Sequence, residues 1–331
     1  MYYRFHSHQI FPLPVAAEMA PVKVPWDRLV RYVSAEDGQI HYGDAIIDAD
    51  DVDRIAEIAR NGKLRVTVLE GSEPITLTRT DKIDTVKKLL GPIEVQNTPG
   101  FRCIGLNYKS HILEASRTLP PYPTTFTKPP HSVADHDEDI PIPRWVSRKL
   151  DYEGELAFIV GKTGKDISER DALDYVGGYT AVNDVSARDW QRDPELAGKV
   201  PQWNYGKSVD KFAPLGPVLV APHVLGAADN LGLKTYLNGE LRQQGNTSDL
   251  CFGIPQIIAF LSRGTTLEKG TVVLTGTPGG VGLFMNPPGF IQDGDTFSVW
   301  VEKIGTLSNK YVWTGEDRLH LFDRAAENGS S

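Results

Sequence analysis

Apolar and polar positions alternate in short runs over most of this chain, and turn residues separate the runs. Leu29-Val30-Arg31-Tyr32-Val33 and Gln39-Ile40-His41-Tyr42 read as two strands around a Glu36-Asp37-Gly38 turn. Asp50 or Asp51 caps a helix in which Val52, Ile55, Ile58 and Ala59 share one face, and Gly62 ends it. Residues 64–69 read as a further strand, and residues 83–90 as a second short helix ahead of Gly91-Pro92. The proline-containing lead, residues 1–25, either adds a strand or stays loose. These elements predict a small α/β domain over residues 1–98.

From residue 99 onward strands dominate. The apolar run 156–160 is partly β-branched, and Val218-Leu219-Val220 and Lys234-Thr235-Tyr236-Leu237 follow the same pattern. Asn238-Gly239 then signals a hairpin into Leu241-Arg242-Gln243. Ile254–Ser262 predicts an apolar helix with Pro255 in its first turn and Gly264 past its end. Val272-Val273-Leu274, residues 297–301 and Lys310-Tyr311-Val312 complete the strands, with Asp293-Gly294-Asp295 as a turn. Many short strands with few helices predict an α+β protein whose larger part, residues 99–331, is a mixed-β roll with helices packed on it.

Composition narrows the function classes. A net charge of -8, with no cluster of Lys and Arg, argues against nucleic acid as a partner. No apolar run is long enough to span a membrane, and the N-terminus lacks the charged and apolar regions of a signal peptide. The two cysteines, Cys103 and Cys251, form no C-x-x-C, so a reducing, cytoplasmic setting is expected and a thiolate metal site is not. Cys103 reads as a buried, inert thiol, and the C-terminal residues 328–331 as a frayed end.

The candidate chemistry begins at Asp151-Tyr152-Glu153-Gly154-Glu155. A strand sends residues i and i+2 to one face, so Glu153 and Glu155 bring two like charges together at the mouth of a buried element. Alone, the pair favours two exposed glutamates on an edge strand, because Glu-x-Glu is common. Asp184, in Asn183-Asp184-Val185-Ser186-Ala187-Arg188-Asp189-Trp190-Gln191, adds a third carboxylate. Three carboxylates with waters or substrate suit a hard cation: Mg²⁺, Mn²⁺ or Ca²⁺.

In these residues the chain resembles the fumarylacetoacetate hydrolase superfamily, in its acylpyruvase and oxaloacetate decarboxylase-like branch. There a Glu-x-Glu and the Asp of an N-D-x-[ST]-A-R-D-x-Q segment bind the catalytic metal, matching Glu153, Glu155 and Asp184. Gly105-Leu106-Asn107-Tyr108-Lys109-Ser110-His111-Ile112-Leu113-Glu114 resembles the family's G-x-N-Y-x-x-H-x-x-E element. With Asn107 as N-cap, a short helix places His111 and Glu114 three apart on one face. Glu114 would orient His111 as a general base. Phe126-Thr127-Lys128-Pro129 resembles the F-x-K-P segment, Asn204-Tyr205-Gly206-Lys207-Ser208 carries the family's lysine, and residues 274–282 resemble its T-G-T-P-x-G-V-G loop. The resemblance runs from about residue 101 to 312 and implies an FAH-type catalytic domain, a variable N-terminal domain and a homodimer. It departs from the family in the proline-rich stretch 118–143 and in the segment 192–203. Within the first stretch, Asp135-His136-Asp137-Glu138-Asp139 reads as a solvated surface loop in preference to a second metal site.

The resemblance implies a small-molecule keto acid substrate and a divalent-metal-dependent hydrolase. A C–C bond of a 1,3-diketo acid of acylpyruvate or fumarylacetoacetate type would be cleaved by His111-activated water, with a metal-stabilised enolate as leaving group. Lys207 and Gln191 would hold developing charge, and Thr277 would donate to the substrate carboxylate. Arg188 reads equally as a substrate ligand and as a structural ion pair. An oxaloacetate-type decarboxylase or keto–enol isomerase on the same metal site is the alternative, and a non-catalytic metal-binding scaffold is the alternative of another class.

Overall fold

The protein is described by a computed structural model over residues 20–114 and 118–315. The expectations for residues 1–19 and 328–331 lie outside the described residues; residues 20–25 add no strand.

β1 (Arg28–Ser34), β2 (Ile40–Ile46), β3 (Arg65–Glu70) and β4 (Thr78–Leu89) form an antiparallel meander that closes on itself, because β1 pairs with both β2 and β4. A 3₁₀ turn at Ala49–Arg54 and the helix α1 (Ile55–Arg60) link β2 to β3 and bury Val52, Ile55 and Ala59 of the predicted face, but Asp50 and Asp51 lie inside the 3₁₀ turn and do not cap the helix. Residues 83–90 are not a helix. Residues 83–89 belong to β4, where β1 and β3 offer ladder partners on both sides: Tyr32 lies opposite Leu89 and Arg65 opposite Thr85. The β-branched Ile83, Thr85 and Val86 fit that pleated setting, and tertiary pairing overrides the local helical spacing.

β1 also pairs with β10 (Ala213–Val220), which joins the meander to the rest of the main sheet. From β10 the sheet runs through β9 (Val176–Asn183), β8 (Gly154–Val160), β13 (Val272–Leu274), β5 (Phe101–Gly105) and β6 (Thr124–Lys128). A second sheet has the order β12 (Glu240–Asn246), β11 (Gly232–Leu237), β14 (Thr296–Val301), β15 (Gly305–Thr314) and β7 (Ile140–Pro143). Leu156, Phe158, Tyr179, Val218, Leu233, Val299 and Tyr311 share one core between the sheets. Ala157, Ile159, Leu219, Leu274 and Cys103 share another on the opposite face. Every residue of β8 is therefore buried, which explains its continuous apolar run. The α+β class and mixed-β roll expected from the pattern are what the chain forms.

Three helices border the site, α2 (Lys109–Glu114), α3 (Arg188–Arg192) and α4 (Trp203–Lys207), while α5 (Ile254–Ser262) packs on the core. α5 has the predicted bounds, with Ile254, Ile257, Ile258 and Leu261 turned inward at helical spacing. Asn238 and Gly239 take φ of 52° and 83°, the left-handed pair that a two-residue hairpin turn requires.

The acidic run at 135–139 is a loop that is solvated only in part: Asp137 and Asp139 are exposed, whereas Asp135, His136 and Glu138 are engaged. Asp135 accepts from Nη1 of the buried Arg31 at 2.8 Å and from Gly91 N at 3.1 Å, Glu138 pairs with Lys211 at 2.8 Å, and His136 is buried. Through Asp135 the run binds the N-terminal meander to the β-roll, so the charges of Asp135 and Glu138 are taken up by structural partners. Burial lowers the His136 pKa to about 4, because its imidazolium would have to form away from water.

Candidate active site

Strand register assembles the carboxylates. β8 and β9 are antiparallel with Gly154 opposite Asn183, so the start of one strand meets the end of the other. That places Glu153 beside Asp184, whose N–H donates to Glu153 O at 2.8 Å. Glu155 is the second residue of β8, and its Oε2 accepts from Gly276 N at 2.6 Å in the loop that follows β13. Ligand atoms of Glu153, Glu155 and Asp184 all lie within 4.8 Å of one another. The structure thus brings together three residues that the sequence separates.

Three cations surround this cluster. Lys207 Nζ reaches Asp184 at 2.5 Å and Glu153 at 2.8 Å, and Lys128 Nζ reaches the other oxygen of Asp184 at 2.5 Å. Arg188 donates from Nη2 to Glu153 at 2.6 Å and from Nε to the buried Asp151 at 2.7 Å. Burial opposes ionisation of Glu153, but Lys207 and Arg188 outweigh it and hold its pKa down at about 2. Burial pushes Glu155 well above the ordinary carboxylate range, and the charges of Asp184 and Glu153 add to that. For Lys207 burial works against the charge, yet Asp184 and Glu153 raise its pKa overall; for Lys128 burial wins and lowers it.

These groups form the inner end of a cavity of about 310 Å³. His111, Glu153, Glu155, Arg188, Gln191, Lys207 and Thr277 all line it, while Asp184 lies fully buried beneath. His111 sits on α2, with its ring centroid 5.9 Å from that of Phe284. The backbone of Glu114 closes α2; its side chain lies outside the described residues. Gln191 Oε1 accepts from Arg188 Nη1 at 2.9 Å. The Thr277 hydroxyl donates to Gly154 O at 2.9 Å and accepts from Gln243 Nε2 at 2.7 Å, so it braces the loop against β8. Of the two readings of Arg188, the ion pair is present, with both Asp151 and Glu153.

Asn107 does not cap α2. Its side-chain amide donates to Phe252 O at 3.0 Å and to Thr275 O at 2.8 Å, and its carbonyl accepts from Phe252 N. The orphan amides of α2 are served instead by Asp249, whose carboxylate accepts from Ser110 N at 3.0 Å and Ser110 Oγ at 2.6 Å. An amide with three partners on two remote loops gains more by joining them than by capping one short helix.

A family model described as fumarylacetoacetate (FAA) hydrolase C-terminal matches residues 100–312, well over half of the chain. The chain belongs to the fumarylacetoacetate hydrolase family. Among curated relatives of this family member, oxaloacetate tautomerase YisK of Bacillus subtilis is 45% identical over 225 residues, covering 67% of this chain and 72% of that protein. Caffeoylpyruvate hydrolase of Neonothopanus nambi is 36% identical over 297 residues, covering 88% of this chain and 95% of that protein. A crystal structure of 2-hydroxyhepta-2,4-diene-1,7-dioate isomerase from Mycobacterium marinum superposes with a TM-score of 0.70 at 32% identity, covering 88% of this chain and all of that one. The family's relatives are hydrolases, isomerases and tautomerases, and this member is an enzyme of the same family.

The residues present fit a divalent cation. Three oxygen-donor carboxylates converge, and one of them, Glu155, is held in a setting where its anion is unfavourable without added positive charge. Counting Asp151 with the three, four carboxylates face Arg188, Lys128 and Lys207, which leaves one negative charge when all are ionised. A doubly charged ion held there would reverse that sign. Sequence reasoning missed Lys128 and Asp151 as members of the cluster. Lys128 stands in a quoted motif, and Asp151 directly precedes the Glu-x-Glu pair, yet neither position alone shows which carboxylate or guanidinium it meets.

Proposed function

We propose that this enzyme cleaves a C–C bond of a 1,3-diketo acid of acylpyruvate type, with Mg²⁺ or Mn²⁺ held by Glu153, Glu155 and Asp184. The observation that supports this reading is His111 on the wall of the same cavity as the carboxylate cluster. A bound divalent cation supplies Lewis acidity toward the oxygens of an α-keto acid. His111 removes a proton from water as it adds to the distal carbonyl, and Glu114, three residues on in the helix, orients the imidazole. The bond between that carbonyl and the methylene then breaks; the methylene carbon takes up a proton, giving pyruvate and a second carboxylic acid. Lys207 and Arg188 hold Glu153 ionised and in place, while Lys207 and Lys128 do the same for Asp184. Gln191, beside Arg188, is available to donate to the substrate, and Thr277 keeps the loop close to it.

The similarity to oxaloacetate tautomerase YisK favours a second reading, in which His111 moves a proton between carbon and oxygen and no bond to carbon breaks. Steady-state assays with acylpyruvates and oxaloacetate, with Mg²⁺ or Mn²⁺ added, separate the readings. Equal release of pyruvate and a carboxylic acid supports hydrolysis. Loss of enol absorbance from oxaloacetate without cleavage supports the tautomerase, CO₂ release supports a decarboxylase, and no turnover on any substrate leaves a metal-binding scaffold. A homodimer belongs to the same proposal, by likeness to the family, and light scattering on the purified protein reads it directly. A cytoplasmic setting fits the two free cysteines. No described helix is long and apolar enough to cross a membrane.

A further inference from the structure

The cavity changes character along its length. Its inner end is charged, whereas Leu106, Phe126, Pro201, Trp203, Leu283 and Phe284 line the remainder. This apolar wall is built into the fold. Trp203 is seated on the backbone of Gly105, where a Cβ would meet indole Cζ3 at 2.2 Å, so glycine alone leaves room for the ring. Trp203 meets Phe126 edge-on with centroids 5.7 Å apart. Phe126 in turn lies under Lys207, with Nζ 4.7 Å from the ring centre, so the aromatic surface reaches the charged end. Phe284 closes the 3₁₀ turn Gly282–Phe284, which the buried Asp151 holds by accepting from Gly282 N at 2.8 Å and Leu283 N at 3.1 Å. Its side chain stays 55% exposed although the ring stands beside His111.

Cations on the lining do not balance this wall. Arg188 and Lys207 are engaged by carboxylates, and Arg192, the remaining guanidinium, is exposed. A second carboxylate on the substrate would lose water against these rings and meet one solvated charge. The volume of about 310 Å³ reaches the range that holds ligands well beyond a four-carbon acid.

We propose that the substrate group beyond the α-keto acid end is uncharged and apolar, an aryl or alkyl-aryl group, with Phe284 and Trp203 as specificity-determining residues. The inference rests on the acylpyruvate reading for what binds at the inner end. 2-Oxo-4-phenylbutanoate and 2-oxoadipate share a 2-oxo acid end and lack the 4-oxo group that cleavage requires, so calorimetry on the Mg²⁺-loaded enzyme reads binding without turnover. The phenyl compound is expected to bind about tenfold tighter or more. Phe284→Ala, at a largely exposed position that folding tolerates, is expected to bring the ratio toward one, and Trp203→Ala to do the same. Equal or tighter binding of 2-oxoadipate overturns the inference, most directly if Arg192→Gln abolishes it; absence of binding by both compounds overturns it as well. A phenyl preference in an enzyme that cleaves no acylpyruvate sinks the hydrolase reading alone, and cleavage without that preference sinks the inference alone.

Discussion

Two acidic regions of this protein have opposite fates. The run 135–139 holds four carboxylates in five residues and is the denser in sequence, yet Arg31, Gly91 and Lys211 take up Asp135 and Glu138 in a joint between meander and roll, and Asp137 and Asp139 face solvent. Glu153, Glu155 and Asp184 are fewer and more dispersed, yet they share one cavity with a histidine and converge within 4.8 Å. Acid density is therefore a poor guide to a site. What distinguishes the second cluster is a buried carboxylate whose anion the protein alone does not make comfortable.

The comparison breaks most sharply at Glu155. In Glu155→Gln the amide can still accept from Gly276 N, and both lysines keep their partners. Loss of a metal ligand is expected to lower kcat/KM by about 10³-fold or more, the equivalent of several kcal/mol of transition-state stabilisation. Mn²⁺ affinity, measured by calorimetry, should fall with it, while the Tm of the metal-free protein holds or rises because like charges no longer crowd. A variant that keeps Mn²⁺ affinity removes Glu155 from the metal site. His111→Gln is expected to cost roughly 10²-fold or more in hydrolysis with Mn²⁺ affinity unchanged, which separates proton transfer from metal binding.

The joint should answer in stability and not in turnover. The buried His136 has a folded pKa of about 4 against an unfolded value of 6.5, so the native state binds fewer protons. Its stabilisation is present above pH 6.5 and is lost as pH falls toward 4, by about 2 kcal/mol between pH 7 and pH 5. Denaturant melts across that range should show the slope, and His136→Gln should flatten it; an unchanged slope would show that other groups set acid stability. Asp135→Asn, which weakens a charge-assisted bond to the buried Arg31, is expected to cost about 1–2 kcal/mol in the same melts with kcat/KM retained.

How much of this was legible follows from locality. α5 is self-contained, with its proline, inward-facing Ile and Leu residues and following glycine all in view, and its bounds agree. β4 is not, because its helical spacing yields to ladders supplied by β1 and β3. The carboxylate cluster was legible through motif order. Lys128 and Asp151 were not, since their roles depend on partners at Asp184 and Arg188 that strand register alone delivers. The structural part of the acidic run was not legible, because nothing near Asp135 in sequence announces Arg31, more than a hundred residues earlier.

Asn107 has a consequence for any exchange of parts between relatives. One carboxamide ties the threshold of the His111 helix to Phe252 and to Thr275, and Gly276, next to Thr275, is the donor to Glu155. The helix cannot be transplanted by itself: three separate stretches must be inherited as a set, or His111 and the carboxylate cluster will lose their common alignment.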